Sequence, residues 1–215
     1  LKPCRWHRNG ACGFERDSSD AEVLVKPMHY HGQPVTVKIR VTHASATPFL
    51  ATNIGPEAEL QAAMTERSEL NFFESLGASD LTIYTGHARG GGGPDFMPPH
   101  LTKDGEDNYD GYYRKVKPGL KHLLSSLSQA SHKPPLLAIL GCKTDSLFKQ
   151  PVLKVAPEMG LITTTEKTYF EDGFQNTFIV IDSFLKKECG ATFQKSLQVV
   201  KASNGARLVM TNFLQ

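Results

Sequence analysis

The chain has 215 residues, with 24 Lys+Arg against 22 Asp+Glu and a formal net charge of +2. Apolar residues make up 40% and charged residues 21%, enough to build a core and too apolar for a disordered tail. No basic run is longer than the pair Lys186-Lys187, and no apolar stretch approaches the roughly 18–20 residues that span a bilayer. A clustered basic footprint for nucleic acid, a membrane span, a collagen, a coiled coil and a zinc ribbon are excluded, and the length suits one domain.

In chain order, residues 1–34 read as an irregular N-terminal extension. Val23–Pro27 forms at most a short edge strand, because Pro27 lacks a ladder donor. Cys4 and Cys12 flank an Asn9-Gly10 turn signal, and a turn there brings the sulfurs together. The expected Cys4–Cys12 disulfide implies an oxidising compartment, so the chain is read as secreted or periplasmic. Two reduced thiols in a cytoplasmic protein are the alternative. His7, His29 and His31 lie nearby, but the spacing fits no standard zinc pattern. No metal and no cofactor are expected.

An α/β domain is expected over 35–215. Val35–Thr42 alternates apolar and polar residues, the pattern of a strand with one wet face. Ser45–Pro56 reads as a loop. A helix opens at Pro56, with Glu57 and Glu59 at its positive end. Its expected stripe is Leu60, Met64, Arg67/Ser68, Leu70, Phe73 and Leu76, and Gly77 ends it. Asp80–Gly86 is a short strand. His87-Ala88-Arg89, the tetrad Gly90 to Gly93 and Pro94-Asp95-Phe96 follow, and 97–111 reads as a surface loop. Leu120–Ala130 is a helix. Leu136–Gly141 is an apolar run without alternation, as in a strand buried on both faces. Gly160–Thr165 is another. Gln175–Glu188 is a helix carrying Phe174, Phe178, Ile181 and Leu185, and Ala206–Phe213 is a last strand after Asn204-Gly205. The alternation predicts an α/β fold, a three-layer sandwich with a mostly parallel sheet.

Ligands of open α/β sheets bind beyond the carboxyl ends of the strands. His87 follows one buried strand and Cys142 another, with a crossover helix between them, so both emerge at one sheet edge. Thiol and imidazole are the pair that acyl transfer needs: the imidazole takes the thiol proton and the thiolate attacks a carbonyl. Backbone N–H groups nearby can bind the oxyanion. Against this stand two plainer readings, a Cys packed as a small hydrophobe and a His held by structural hydrogen bonds. The glycine tetrad is either a loop shaping a cleft, with Arg89 gripping a carboxylate and Asp95 a basic group, or a flexible surface loop with Asp95 capping a turn. Asp145 either binds a basic substrate group, orients His87, or sits at a helix start. Thr163, Thr164 and Thr165 end a strand at the same edge. No G-x-S-x-G elbow occurs. Cys189 is expected as a buried thiol.

The segments LTIYTGHARG and LLAILGCKTD resemble the caspase-like cysteine peptidases, in which the His follows one apolar strand and the Cys the next. The resemblance implies a caspase-like fold, Cys142 as nucleophile and His87 as general base and acid. It implies the amides of Ala88 and Cys142 as oxyanion donors, and a peptide or protein substrate. Two positions depart from the family pattern: Ala88 stands where Gly is usual, and Lys143 follows the Cys. The implied function is a cysteine endopeptidase. The alternative is an inactive caspase-like binding or scaffold domain.

Overall fold

The computed structural model describes residues 12–47, 49–199 and 205–212. Near the N-terminus, β1 (Glu15–Arg16), β2 (Val23–Tyr30) and β3 (Gln33–Arg40) form an antiparallel sheet in the order β1-β2-β3. The β2–β3 hairpin turns at His31 and Gly32, both at positive φ (49° and 78°), the pattern of a two-residue primed turn. Pro27 lies opposite Thr36 and beyond the reach of β1, which meets only Leu24 and Val25. Its missing N–H therefore faces no β1 partner. The strand expected at the start of the main sheet thus pairs with β2 instead, and a boundary at 34/35 falls inside this hairpin. Two adjacent residues able to turn the chain, His31-Gly32, were the sequence signal for it.

The short helix α1 (Ala51–Ile54) leads into α2 (Ala58–Ser75), followed by β4 (Leu81–Thr85). After the glycine tetrad and a π-helical turn at Tyr109–Tyr113 come α3 (Arg114–Val116), α4 (Pro118–Gln129) and β5 (Leu136–Leu140). Then follow α5 (Thr144–Val155), β6 (Gly160–Thr164), α6 (Phe170–Leu185), α7 (Gly190–Leu197) and β7 (Leu208–Thr211). The second sheet has the order β4-β5-β6-β7. β4, β5 and β6 are parallel, and β7 is antiparallel to β6.

Sequential order dictates the layers. Two crossovers of the same hand that step in the same direction place their helices on the same face. Leu123 and Leu127 of α4 and Phe148 and Val152 of α5 accordingly pack with Leu137, Ile139 and Leu161 of the sheet, and Phe72 and Phe73 of α2 join them with Leu76 just past its end. The other face carries Leu136, Ala138, Leu140 and Ile162, covered by Val180 of α6 and Phe193 and Leu197 of α7. β5 alternates strictly between the two cores and all five of its residues are buried, which is why its sequence is apolar without a period.

Two expected stripes turn differently. The buried face of α2 is Thr65, Ser68, Phe72 and Phe73, while Leu60 and Leu70 are exposed. The polar members are held by the preceding loop: the Ser68 hydroxyl donates to the His43 carbonyl at 2.6 Å. In α6 the inward residues are Gly173, Asn176, Val180 and Ser183, while Phe174 and Phe178 are exposed. The helix lies close on β4, where a Cβ on Gly173 would stand 3.0 Å from Thr85 Cγ2. Close approach, not bulk, selects that face. Helices α5 and α7 were not legible: Pro151 lies inside α5, against the usual rule for helix interiors, and α7 is only eight residues long.

Truncating Phe72 to Ala is expected to lower unfolding stability by about 3–5 kcal/mol. Leu70→Ala should change it by no more than about 0.5 kcal/mol. Urea denaturation of the two variants checks the orientation of α2.

Candidate active site at the carboxyl ends of β4 and β5

The register of β4 against β5 runs from Leu81↔Leu136 to Thr85↔Leu140. The ladder continues one step further, as the Gly86 N–H donates to the Leu140 carbonyl at 3.0 Å. Continued by two residues, the register sets Gly86 beside Gly141 and His87 beside Cys142. Glycine is required for this approach. A Cβ on Gly141 would lie 2.4 Å from the Gly86 oxygen and 3.6 Å from the Ala88 nitrogen. The two strand exits therefore touch through backbone alone, and the residues that follow leave side by side.

His87 is exposed. Partial burial of its ring, and then the nearby Arg89 charge, hold its pKa below the ordinary imidazole value. That favours a neutral ring able to accept a proton. Cys142 is half-buried and free. Its thiol donates to the Thr168 carbonyl at 3.8 Å, and it forms no hydrogen bond with His87 among the described residues. The N–H groups of Ala88 and Cys142 also donate no hydrogen bond among the described residues, although Ala88 is buried. An unpaired amide on a buried residue such as Ala88 is unusual.

The glycine tetrad is not a mobile loop. Gly91, Gly92, Gly93 and Pro94 are buried. The Ala88 carbonyl accepts from the N–H groups of Gly91 and Gly93 at 2.9 and 3.1 Å. Gly90 and Gly91 have φ of 59° and 93°, a region open to glycine at little cost. A Cβ on Gly92 would meet the Tyr113 carbonyl oxygen at 2.7 Å.

Arg89 and Asp95 face each other, which corrects their expected role in gripping substrate. The Arg89 side chain is 3% exposed, with Nε 2.8 Å from Asp95 Oδ2 and Nη1 2.6 Å from Asp107 Oδ2. Its guanidinium lies 5.5 Å from the Tyr113 ring centroid. Burial opposes the Arg89 charge, but the Asp95 hydrogen bond and both carboxylates outweigh it and raise its pKa. Asp107, in a segment read as plain surface loop, is thus part of the site's scaffold. No local pattern announces a partner this far along the chain.

Asp145 is also engaged away from any cleft. It lies in the first turn of α5, where its Oδ1 accepts from the Thr163 hydroxyl at 2.9 Å. The same oxygen is 3.5 Å from Lys149 Nζ. Among the described residues its contacts are with Thr163 and Lys149, and none is with His87. Thr163 and Thr164 are buried, so they brace the site and do not line it. Cys189, expected to be buried, is exposed at the start of α7, where the Thr192 hydroxyl holds its thiol pKa down. The expected Cys4–Cys12 pair, and a metal site using His7, involve residues outside those described. Among the described residues no group of His, Cys, Asp and Glu could hold a metal ion, and no helix is long and apolar enough to cross a membrane.

The chain matches no protein-family model, no curated protein and no solved structure.

Removing Arg89 would leave the half-buried carboxylates of Asp95 and Asp107 without their shared cation. Arg89→Leu is expected to cost about 3 kcal/mol of stability. Unfolding by guanidinium chloride measures it, and a variant as stable as the parent would contradict the scaffold role.

Proposed function

We propose that this chain is a caspase-like cysteine hydrolase that acts as an endopeptidase. The observation that supports the reading is the β4–β5 register, paired as far as Thr85↔Leu140, whose continuation sets His87 beside Cys142 and next to two amides that donate no hydrogen bond among the described residues. In the proposed reaction, His87 takes the Cys142 proton and the thiolate sulfur bonds to the substrate carbonyl carbon. The carbonyl π pair moves onto oxygen, where the N–H groups of Ala88 and Cys142 receive it. As the tetrahedral species collapses, the C–N bond breaks and His87 gives its proton to the departing amine. Water, deprotonated by His87, then attacks the thioester. The sulfur leaves as thiolate and recovers the proton. Each step uses groups of this chain, water and substrate alone.

A second reading has one observation in its favour. The Cys142 thiol is hydrogen-bonded to the Thr168 carbonyl and not to His87, as suits a domain that keeps the fold for binding a peptide without cutting it. The two readings part on Cys142→Ala and His87→Ala. For the hydrolase, either change abolishes cleavage of a peptide library and leaves thermal unfolding near that of the parent. If the parent cuts nothing and Cys142 reacts no faster than a free cysteine, the binding domain is the correct reading.

The pH dependence follows from the lowered His87 pKa. The base must be neutral, so activity falls as pH drops through the folded-state value, which lies below about 6.5. At pH 6.5 more than half of the maximal acid-limb rate should remain. An acid limb centred above that pH would contradict the role given to His87.

Secretion belongs to the same proposal and rests on the Cys4–Cys12 pair. Of the four cysteines, Cys142 and Cys189 are free. Thiol counting on denatured protein should find two reactive groups before reduction and four after. Four before reduction would favour the cytoplasmic alternative.

A further inference from the structure

We infer that two sets of hydroxyls, buried Tyr84 on one strand exit and buried Thr164 with half-buried Thr168 on the other, aim the oxyanion-binding amides by holding their peptide carbonyls. The inference rests on the hydrolase reading above and names positioning residues for it.

The geometry is that of the trans peptide, in which the C=O of one residue and the N–H of the next lie in one plane and point in opposite directions. The Ala88 N–H shares its peptide with the His87 carbonyl. That carbonyl accepts from the Tyr84 hydroxyl at 3.0 Å. Tyr84 is 4% exposed, and its ring lies edge-on to Phe72 and Phe96, with centroids 5.7 and 5.4 Å apart. The hydroxyl also accepts the Asp95 N–H at 3.0 Å, and its single proton is shared between the His87 carbonyl and the Asp95 carbonyl, the latter at 2.8 Å. One fixed phenol thus clasps both ends of the glycine tetrad. Burial raises its pKa well above the ordinary tyrosine value, so it remains a donor.

The second amide is held in the same manner. The Cys142 N–H shares its peptide with the Gly141 carbonyl, which accepts from the Thr168 hydroxyl at 3.1 Å and from the Thr164 hydroxyl. Thr164 is fixed in turn through its N–H, which donates to the Thr144 hydroxyl at 2.8 Å, and that hydroxyl donates to the Ile139 carbonyl at 2.6 Å. With both carbonyls pinned, neither peptide plane can rotate, and the two N–H groups keep one orientation. Hydrogen bonds to a carbonyl also polarise its peptide and strengthen the opposite N–H as a donor. Preorganisation of this kind is what lowers the barrier at an oxyanion.

The test separates aiming of the amides from mere packing by using two probes on protein carrying Cys189→Ser. Iodoacetamide alkylates the Cys142 thiolate by displacement at a saturated carbon and forms no oxyanion. p-Nitrophenyl acetate acylates the same sulfur: an S–C bond forms, a tetrahedral oxyanion passes, and p-nitrophenolate leaves with the electron pair. Thr168→Val and Tyr84→Phe should each slow acylation about tenfold, less than the roughly 10²–10³ for loss of a donor outright. Alkylation should stay within about twofold of the parent. Thr168→Ser, which keeps the hydroxyl, should restore acylation.

Equal acylation in parent, Thr168→Val and Tyr84→Phe, with alkylation intact, overturns the inference and leaves the hydrolase reading standing. Parallel loss of both reactions also overturns it, since the hydroxyls would then serve only packing. If Cys142 of the parent is acylated no faster than a small peptide thiol, the hydrolase reading fails and the inference falls with it.

Discussion

The in-register parallel pairing of β4 with β5 is the constraint on which the rest of the site depends. It ends in two glycines whose backbones touch, and any side chain at Gly141 would drive the exits apart. Parallel pairing requires a crossover, and here the crossover carries the tetrad, the Tyr109–Tyr113 turn and α4. The same pairing that builds the sheet therefore brings the long connection back over the point where His87 leaves it. Gly119, at the start of α4, donates its N–H to the Gly92 carbonyl at 2.8 Å, so the helix and the tetrad lock together. Fold and site are one construction at this edge.

Rigidity at this edge comes from polar groups. Arg89 ties Asp95 to Asp107, Tyr84 ties His87 to Asp95, and Lys143 donates its N–H to the Glu166 carbonyl at 2.9 Å. The connection after β4 is thereby tied to itself, and the loops after β5 and β6 are joined to each other. Arg89 itself adopts φ 46°, a left-handed conformation that a long side chain takes only where its surroundings hold it. The first sheet touches this body elsewhere. Arg67 of α2 reaches Glu22 at 2.5 Å, and Lys187 donates to the His29 carbonyl at 3.1 Å while lying 3.9 Å from the Tyr30 ring centroid.

The sequence disclosed those features that local pattern encodes. An unbroken apolar run marked β5 as doubly buried, Gly before His87 and before Cys142 marked the strand exits, and the alternation of strand and helix gave the mostly parallel sheet. What stayed hidden depends on partners distant in the chain. Arg89 and Asp95 read as substrate groups because their charges were visible and their mutual contact, completed by Asp107, was not. The tetrad stayed open between a cleft-shaping and a flexible loop because glycine serves both freedom and close packing, and only the neighbours decide which. Phe174 and Phe178 share a stripe with Ile181 and Leu185 by helical spacing, whereas α6 presents Gly173 and Ser183 to the sheet. β3 was assigned to the wrong sheet because alternation reveals a strand and says nothing of its partner.

The central claim is that the Cys142 sulfur, the His87 ring and the amides of Ala88 and Cys142 surround one reacting carbonyl. A crystal structure of the protein treated with a peptide aldehyde tests it most directly, since the hemithioacetal formed on Cys142 mimics the tetrahedral species. The account predicts the hemithioacetal oxygen at about 2.7–3.1 Å from both amide nitrogens, with the His87 ring within hydrogen-bond reach of the adduct. An adduct whose oxygen points to solvent, with His87 turned away and both amides still unpartnered, would contradict it.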